Sequence, residues 1–137
     1  MSNKLDKGLT MEESEKALNL KIDEFLEEFN PQEMEDIAFR SARFDAGLAW
    51  RHFPAGQGGM GLRPNLQKVI ERRMREAGAM PTDPTTFFMS LAGPTISTHG
   101  TQEQRERFLK PMFTGEERWC QLFSEPGAGS DLSLIHI

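Results

Sequence analysis

Residues 53–61 constrain the fold more than any other part of this sequence, because four of these nine residues are glycine. The segment reads F-P-A-G-Q-G-G-M-G. Glycine at this density cannot form the interior of a stable helix or strand, so we predict a loop. Apolar residues recur at helical spacing on both sides, so the loop is expected to separate two groups of helices.

Two helices are predicted before the loop. Thr10 and Glu13 form a capping-box pattern that begins the first helix. Its apolar stripe consists of Leu18, Ile22, Phe25, Leu26 and Phe29. Asn30 and Pro31 end this helix and are expected to begin the second as N-cap and first-turn residue. The second helix is expected to fade near Gly47. Its predicted buried face consists of Met34, Ile37, Ala38, Ser41 and Ala42.

A third helix is predicted directly after the loop, with Pro64 in its first turn and Gly78 as its C-terminal stop. Its predicted buried side consists of Leu66, Val69, Ile70, Met74 and Ala77. Three arginines point away from that side, namely Arg72, Arg73 and Arg75.

Two more helices follow. Residues 83–84 are expected to open a fourth helix that is apolar almost all round and therefore buried, with Pro94 kinking or interrupting it. Its apolar residues are Phe87, Phe88, Met89, Leu91 and Ala92. Thr101 and Gln104 form a second capping box that begins the fifth helix, and Gly115 ends it. Its apolar set is Phe108, Leu109, Met112 and Phe113.

The spacing changes after Gly115. Trp119, Gln121 and Phe123 alternate with Cys120 and Leu122, which is typical of a strand. A single strand leaves its backbone amides unpaired, so its partners are expected downstream. The predicted fold is mainly α-helical with one terminal β-strand.

Composition excludes several classes of protein. The 137 residues amount to about one domain. The net charge of −5 divides into −7 for residues 1–36 and +2 for the remainder, which argues against a nucleic-acid binder. A single cysteine excludes an internal disulfide framework and a four-cysteine metal site. No apolar run or leader pattern suggests a membrane span or a signal peptide, so a cytoplasmic location is expected.

The strongest candidate for a functional site is the segment C-Q-L-F-S-E-P-G-A-G-S-D at residues 120–131. Gly127 and Gly129 permit positive φ angles and close backbone approach. Successive amides in such a turn form an anion-binding nest, to which Ser124 and Ser130 add hydroxyls. By composition alone, a plain surface turn is the stronger interpretation. The Walker and nucleophile-elbow patterns are absent.

The same segment closely resembles the signature that opens the middle domain of acyl-CoA dehydrogenases. Upstream, residues 53–61 resemble that family's P-x-x-x-G-G-x-G loop, and residues 93–104 resemble its P-T-I…H-G-T-x-x-Q stretch. Residues 110–111, 115–117 and 119–121 continue the match in order. Several motifs in the right order are far more specific than any one of them, and the resemblance extends over residues 40–132.

The resemblance implies a fold and a chemistry. Family members have a helical N-terminal domain, a β-barrel middle domain and a helical C-terminal bundle, and they assemble as two or four subunits. They bind FAD and oxidise an acyl-CoA thioester between its α and β carbons, passing electrons to an electron-transfer flavoprotein. Residues 1–117 would then be the N-terminal domain and residues 118–132 the start of the middle domain, while residues 133–137 do not resemble the family.

Site residues are implied in the same way. The cofactor-binding set would be Gln121, Leu122, Phe123, Ser124, Gly129 and Ser130. Backbone groups near Gln121 and Phe123 would approach the pyrimidine side of the flavin, and the Ser124 hydroxyl would hydrogen-bond to it. Ser130 would also bind substrate, where flavin and acyl-CoA approach each other. Glu125 is not the catalytic base, since the family takes that carboxylate from a later segment.

The sequence departs from the family after Leu132, and we expect a truncated or mis-joined reading frame. Because the barrel and the C-terminal bundle are not in this sequence, the isolated chain is expected neither to hold FAD nor to dehydrogenate acyl-CoA. Two alternatives remain: a stand-alone helical interaction module without flavin, and a domain supplied to a partner chain.

Other residues invite a chemical and a structural interpretation. His99 could act as a base but is interpreted as structural, and His52 and His136 lack metal-ligand spacing. Cys120 is interpreted as a small packed residue. The arginines of the third helix could face CoA phosphates but are interpreted as solvated or facing other domains. Residues 87–89 could line an acyl pocket, although core packing is preferred.

Overall fold

The chain is seen in a computed structural model that describes residues 9–82 and 88–120, with only the backbone at positions 88 and 89. Its five α-helices, in chain order, are α1 (Met11–Glu28), α2 (Asp36–Asp45), α3 (Gln67–Glu76), α4 (Gly93–His99) and α5 (Gln102–Thr114). A 3₁₀ turn at Pro64–Leu66 precedes α3, and a π-helical turn at Phe88–Ala92 precedes α4. The described ranges contain no strand, which confirms the mainly helical prediction. The predicted strand lies outside the described residues from Gln121 onward.

Two apolar clusters hold the helices together. The first joins α1, α2 and α3 and consists of Leu18, Ile22, Phe25, Phe39, Leu48, Leu66, Val69, Ile70, Met74 and Ala79. The second joins the end of α2 to the following loop and to α5, and consists of Phe44, Ala49, Trp50, Phe53, Leu109 and Phe113. Within it, the Trp50 ring stacks on Phe53 at 4.9 Å between centroids and meets the edge of Phe113 at 5.1 Å.

Both predicted capping boxes are confirmed. The Thr10 N–H donates to Glu13 Oε2 at 2.7 Å, and the Glu13 N–H donates to Thr10 Oγ1 at 3.2 Å. At α5, the Thr101 N–H donates to Gln104 Oε1 at 2.8 Å, and the Gln104 N–H returns a bond to Thr101 Oγ1. Each box satisfies amides that would lack a partner at the N-terminus of a helix. The starts of α1 and α5 could therefore be predicted from the sequence.

The two boxes should respond differently to acid. The Thr10 N–H foremost, and then the Thr10 side chain, hold the pKa of Glu13 below its usual 4.5. A carboxylate with a lowered pKa in the folded state stabilises α1 above the unfolded pKa, and this contribution is lost as pH falls through the folded pKa. We therefore expect the NMR shift of the Thr10 amide to titrate with a midpoint below 4.5. The Thr101 amide is the control because Gln104 does not ionise, and matching titration of both amides would contradict the prediction.

The predicted start and buried face of α2 are wrong. Asn30 begins a turn instead of a helix, because its Oδ1 accepts from the Gln32 N–H at 3.0 Å and the helix starts only at Asp36. The face that α2 buries carries Phe39, Arg43 and Phe44. The side chain of Ile37, which was predicted to be buried, is 48% exposed. A buried arginine breaks the apolar spacing from which the face was inferred.

The fourth helix also differs from its prediction. Residues 83–87, including the predicted opening, lie outside the described residues. Pro94 lies at the start of α4, where a missing N–H costs nothing, and a π-helical turn precedes it. Ala92 is buried, but the Leu91 side chain is 46% exposed, so the prediction of all-round burial is wrong there. The fifth helix and the left-handed stops at Gly78 and Gly115 match their predictions. The third helix matches in its buried Val69, Ile70 and Met74, but Pro64 lies in the 3₁₀ turn before it and Ala77 is only half-buried.

Candidate functional site

The residues predicted to hold the cofactor follow directly after the described part of the chain. Gln121, Leu122, Phe123, Ser124, Gly129 and Ser130 all lie outside the described residues, as does His136. Their roles stay predictions. The structure does describe the helices and the loop from which this segment departs.

The glycine-rich loop, residues 53–61, is fixed by main-chain hydrogen bonds. The amides of Ala49 and Trp50 both donate to the Gly58 carbonyl, at 3.0 and 2.9 Å. The Gly61 amide donates to the Phe53 carbonyl at 2.7 Å. Because the backbone folds back on itself this closely, the loop forms a rigid wall beside the second apolar cluster, and the loop prediction is confirmed.

One groove lies between this loop and the α4–α5 pair. We call it the loop groove; its volume is about 820 Å³, and it is lined by His52, Phe53, Pro54, Ala55, Gln57, Gly61, Pro94, Ser97, Thr98 and Arg105. Ser97 Oγ and Gln57 Oε1 lie 2.8 Å apart in a hydrogen bond that joins α4 to the loop. The His52 ring meets the Phe53 ring edge-on at 4.8 Å. Although His52 is exposed at the rim of the groove, partial burial foremost, and then the charge of Arg51, lower the pKa of His52.

A second, smaller groove lies on another side of α4. We call it the elbow groove; its volume is about 270 Å³, and it is lined by Thr95, Ile96, His99, Gly100, Gln104, Phe108 and Trp119. The Trp119 ring meets Phe108 edge-on at 5.3 Å. The chain therefore reaches the predicted cofactor segment from a fixed position on α5.

The turn after α5 sets this position. Gly115 has a φ of +87°, which reverses the chain, and the Glu117 N–H donates to the Pro111 carbonyl at 3.1 Å. Arg107 and Glu117 form an ion pair at 2.6 Å. The hydrogen bond to Glu117 foremost, and then its charge, raise the pKa of Arg107. The Arg107 guanidinium also lies 5.0 Å from the centre of the Phe108 ring.

Several sequence candidates have a structural explanation. Arg73 binds Asp23 and donates to Asn19 Oδ1 at 2.8 Å, so it ties α3 to α1, whereas Arg72 and Arg75 are exposed. Cys120 is exposed, which contradicts its predicted packing, because the described part of the chain places no element over it. Residue 87 and the side chains at positions 88 and 89 lie outside the description, so the acyl-pocket alternative stays a prediction.

The described residues offer no metal site, since no three histidine, cysteine, aspartate or glutamate side chains among them could hold an ion. In the same ranges, no helix combines the length and the apolar character needed to cross a bilayer. Two arginines were not predicted from the sequence: Arg43, which packs against the Phe113 ring of the second apolar cluster, and Arg105, which lines the loop groove. Neither belongs to a motif, and only the folded chain shows what surrounds them.

Comparisons with known proteins agree with this architecture. A family model described as "Acyl-CoA dehydrogenase, N-terminal domain" matches residues 9–116. Acyl-CoA dehydrogenase FadE34 of Mycobacterium tuberculosis is 44% identical over 105 residues, which are 77% of this chain and 14% of that protein. Acyl-CoA dehydrogenase IpdE1 of Mycolicibacterium smegmatis is 40% identical over 90 residues, or 66% of this chain and 23% of that protein.

A further relative has a different name. The caffeyl-CoA reductase–Etf complex subunit CarC of Acetobacterium woodii is 31% identical over 131 residues, which are 94% of this chain and 33% of that subunit. The matched region thus makes up between 14% and 33% of each of these three relatives. No solved structure matches the chain.

Proposed function

This chain belongs to the acyl-CoA dehydrogenase family, and its residues 9–116 match the family's N-terminal domain. We propose that the protein takes part in the α,β-dehydrogenation of an acyl-CoA thioester with FAD. Supporting this proposal, the family's helical domain leads without interruption to Trp119, which is packed on α5 two positions before Gln121. Residues 118–132 would begin the flavin-binding middle domain.

The donor set of the following segment suits a flavin. Backbone groups at Gln121, Leu122 and Phe123 and the hydroxyl of Ser124 supply the donors and acceptors that flavin carbonyl and ring-nitrogen atoms need. Gly129 permits close backbone approach, and Ser130 is assigned to both flavin and acyl-CoA. FAD, when bound, accepts the hydride that leaves the β carbon. No residue of this chain is assigned as the base that takes the α proton.

Partners follow from the same proposal. CarC is named as a subunit of a reductase complex with Etf, which supports an electron-transfer flavoprotein as the redox partner of this protein. In a dehydrogenase, that partner would accept the electrons. An acyl-CoA substrate, a homo-oligomeric state and a cytoplasmic location complete the proposal.

Purified alone, the 137-residue chain is expected to show no visible flavin absorption band and no acyl-CoA dehydrogenation. The reason is that the matched region makes up at most 33% of the three relatives, so most FAD and substrate contacts would come from further sequence. Absorbance of the protein purified with added FAD measures this. A yellow chain that keeps its flavin through gel filtration would contradict it.

Sequencing the gene across codon 132 tests the function itself. Codons for a β-rich domain and a helical bundle with a late glutamate would support the dehydrogenase, and the corresponding longer protein should then bind FAD and reduce a dye with acyl-CoA. A stop codon followed by an unrelated gene would favour a stand-alone helical interaction module.

A further inference from the structure

Arg105, in the first turn of α5, is the feature of the loop groove that the proposed function does not explain. Its Nε is buried and has no hydrogen-bond partner within the described chain. Buried donors without partners are rare in native proteins, so each one needs an explanation. A guanidinium is an acute case, because it carries a permanent charge and cannot be deprotonated.

Arg40 and Arg51 also carry buried guanidinium nitrogens that make no hydrogen bond, but Arg40 Nε lies 2.9 Å from Asp36 Oδ2, and Arg51 Nη1 donates to the Arg63 carbonyl. Arg107, two positions further along the same helix, is paired with Glu117 at 2.6 Å. Arg43 is fully buried but bonds to the Leu48 carbonyl, to Thr82 and to Glu71. By contrast, none of the described residues lining the loop groove is acidic. The groove therefore presents positive charge without a protein counter-charge.

The remaining walls of the groove suit a ligand with an anionic head and an apolar body. Thr98 places a hydroxyl on the α4 side, where the Ser97 hydroxyl already donates to Gln57 Oε1, and the His52 ring can donate an N–H. Pro54 and Pro94 add apolar surface. The volume of about 820 Å³ greatly exceeds that of a single small ion and falls within the range of small-molecule sites.

We propose that the loop groove binds a phosphate group carried on a flat apolar body of about nucleotide size, with Arg105 as its charged anchor. The Arg105 guanidinium donates charge-assisted hydrogen bonds to the phosphate oxygens, and the Thr98 hydroxyl adds a further donor. This inference rests on the residues of the groove and does not depend on the proposed dehydrogenase function.

Titration calorimetry of the full 137-residue chain tests the site with three probes: ADP, inorganic phosphate and adenosine. We expect saturable binding of ADP, at least tenfold weaker binding of phosphate because the apolar body is missing, and the weakest binding of adenosine because the phosphate is missing. In NMR, ADP should shift the Arg105 Nε–H signal. Equal affinity for ADP and phosphate would overturn a nucleotide-sized ligand, and equal affinity for ADP and adenosine would overturn the anchor.

Arg105→Gln should weaken ADP binding about tenfold or more, since a bond to a charged group is lost. Arg107→Gln is the matched control, because it removes the same charge from the same helix but next to the elbow groove. It should leave ADP affinity within about twofold. If both variants lose affinity equally, the effect is general charge attraction and the site is refuted.

A second variant guards against an effect of Arg105 on folding. Ala55 is exposed on the loop side of the groove, so Ala55→Glu should leave the unfolding temperature unchanged. The new carboxylate would repel phosphate and compete for Arg105, and ADP affinity should fall about tenfold. A well-folded Ala55→Glu variant that binds ADP as the natural chain does would overturn the proposal.

Discussion

Replacing Glu71 by alanine is expected to lower the free energy of unfolding by about 3 kcal/mol, because it leaves a buried cation without its counter-charge. Arg43 is only 1% exposed, although it carries a full charge. Burial lowers the pKa of Arg43, while the charge and the hydrogen bond of Glu71 oppose that shift. Without Glu71, the guanidinium would face only neutral acceptors.

Those acceptors cannot compensate for the loss. Arg43 Nε donates to the Leu48 carbonyl at 2.9 Å, and Nη1 donates to Thr82 Oγ1 at 3.1 Å. Glu71 also accepts from Gln67 Nε2 at 2.8 Å, and the same nitrogen donates to the Ala49 carbonyl at 2.8 Å. Removing Glu71 therefore has two effects. It leaves the Arg43 charge without a counter-charge, and it frees Gln67, which holds the segment before the glycine-rich loop through the Ala49 carbonyl.

Two variants on the same helix separate this effect from a general loss of acidic charge. Glu76→Ala removes a carboxylate whose side chain is 61% exposed and 4.0 Å from Arg72, so it should change stability by no more than about 0.5 kcal/mol. Glu71→Gln keeps an acceptor for Arg43 and should cost about 1–2 kcal/mol. Urea unfolding followed by the fluorescence of Trp50 and Trp119 measures the free energy of unfolding of all three variants. Equal losses for Glu71→Ala and Glu76→Ala would refute a special role for the buried pair.

Apolar spacing and capping motifs were sufficient to predict most of the helical fold. The stripe from Leu18 to Phe25 and the boxes at Thr10 and Thr101 are local features, so they survive tertiary packing unchanged. The second helix shows the limit of this approach. Arg43 lies at the centre of its buried face, and a rule that places charged residues in solvent assigns that face wrongly.

The two grooves were not predictable from the sequence, and the reason differs from that for the second helix. Arg105 and Gln57 are far apart in the sequence, and neither stands in a pattern typical of ligand binding. They line one groove because the second apolar cluster brings the glycine-rich loop against α4 and α5. The motif resemblance led to residues 121–130, whereas the electropositive groove follows from tertiary contacts alone.

Gly59→Ala is expected to be at least as damaging as loss of the buried ion pair. A methyl group at Gly59 would lie 2.2 Å from both the Phe53 and the Trp50 carbonyl oxygens. Both carbonyl groups belong to the backbone, so they cannot move away by a rotamer change as a flexible side chain would. The loop would have to open and give up the bonds that Gly58 and Gly61 make, at a cost of about 3 kcal/mol or more.

Gly56→Ala supplies the matched control in the same loop. Gly56 has a φ of +82°, but no atom lies within 4 Å of the position that a Cβ would occupy. Only the left-handed backbone is penalised there, by about 1 kcal/mol. In thermal unfolding, Gly59→Ala should lower Tm by about 10 °C and Gly56→Ala by no more than about a third of that. A Gly59→Ala chain as stable as Gly56→Ala would show that the loop yields readily, and the rigid wall assigned to the loop groove would then be wrong.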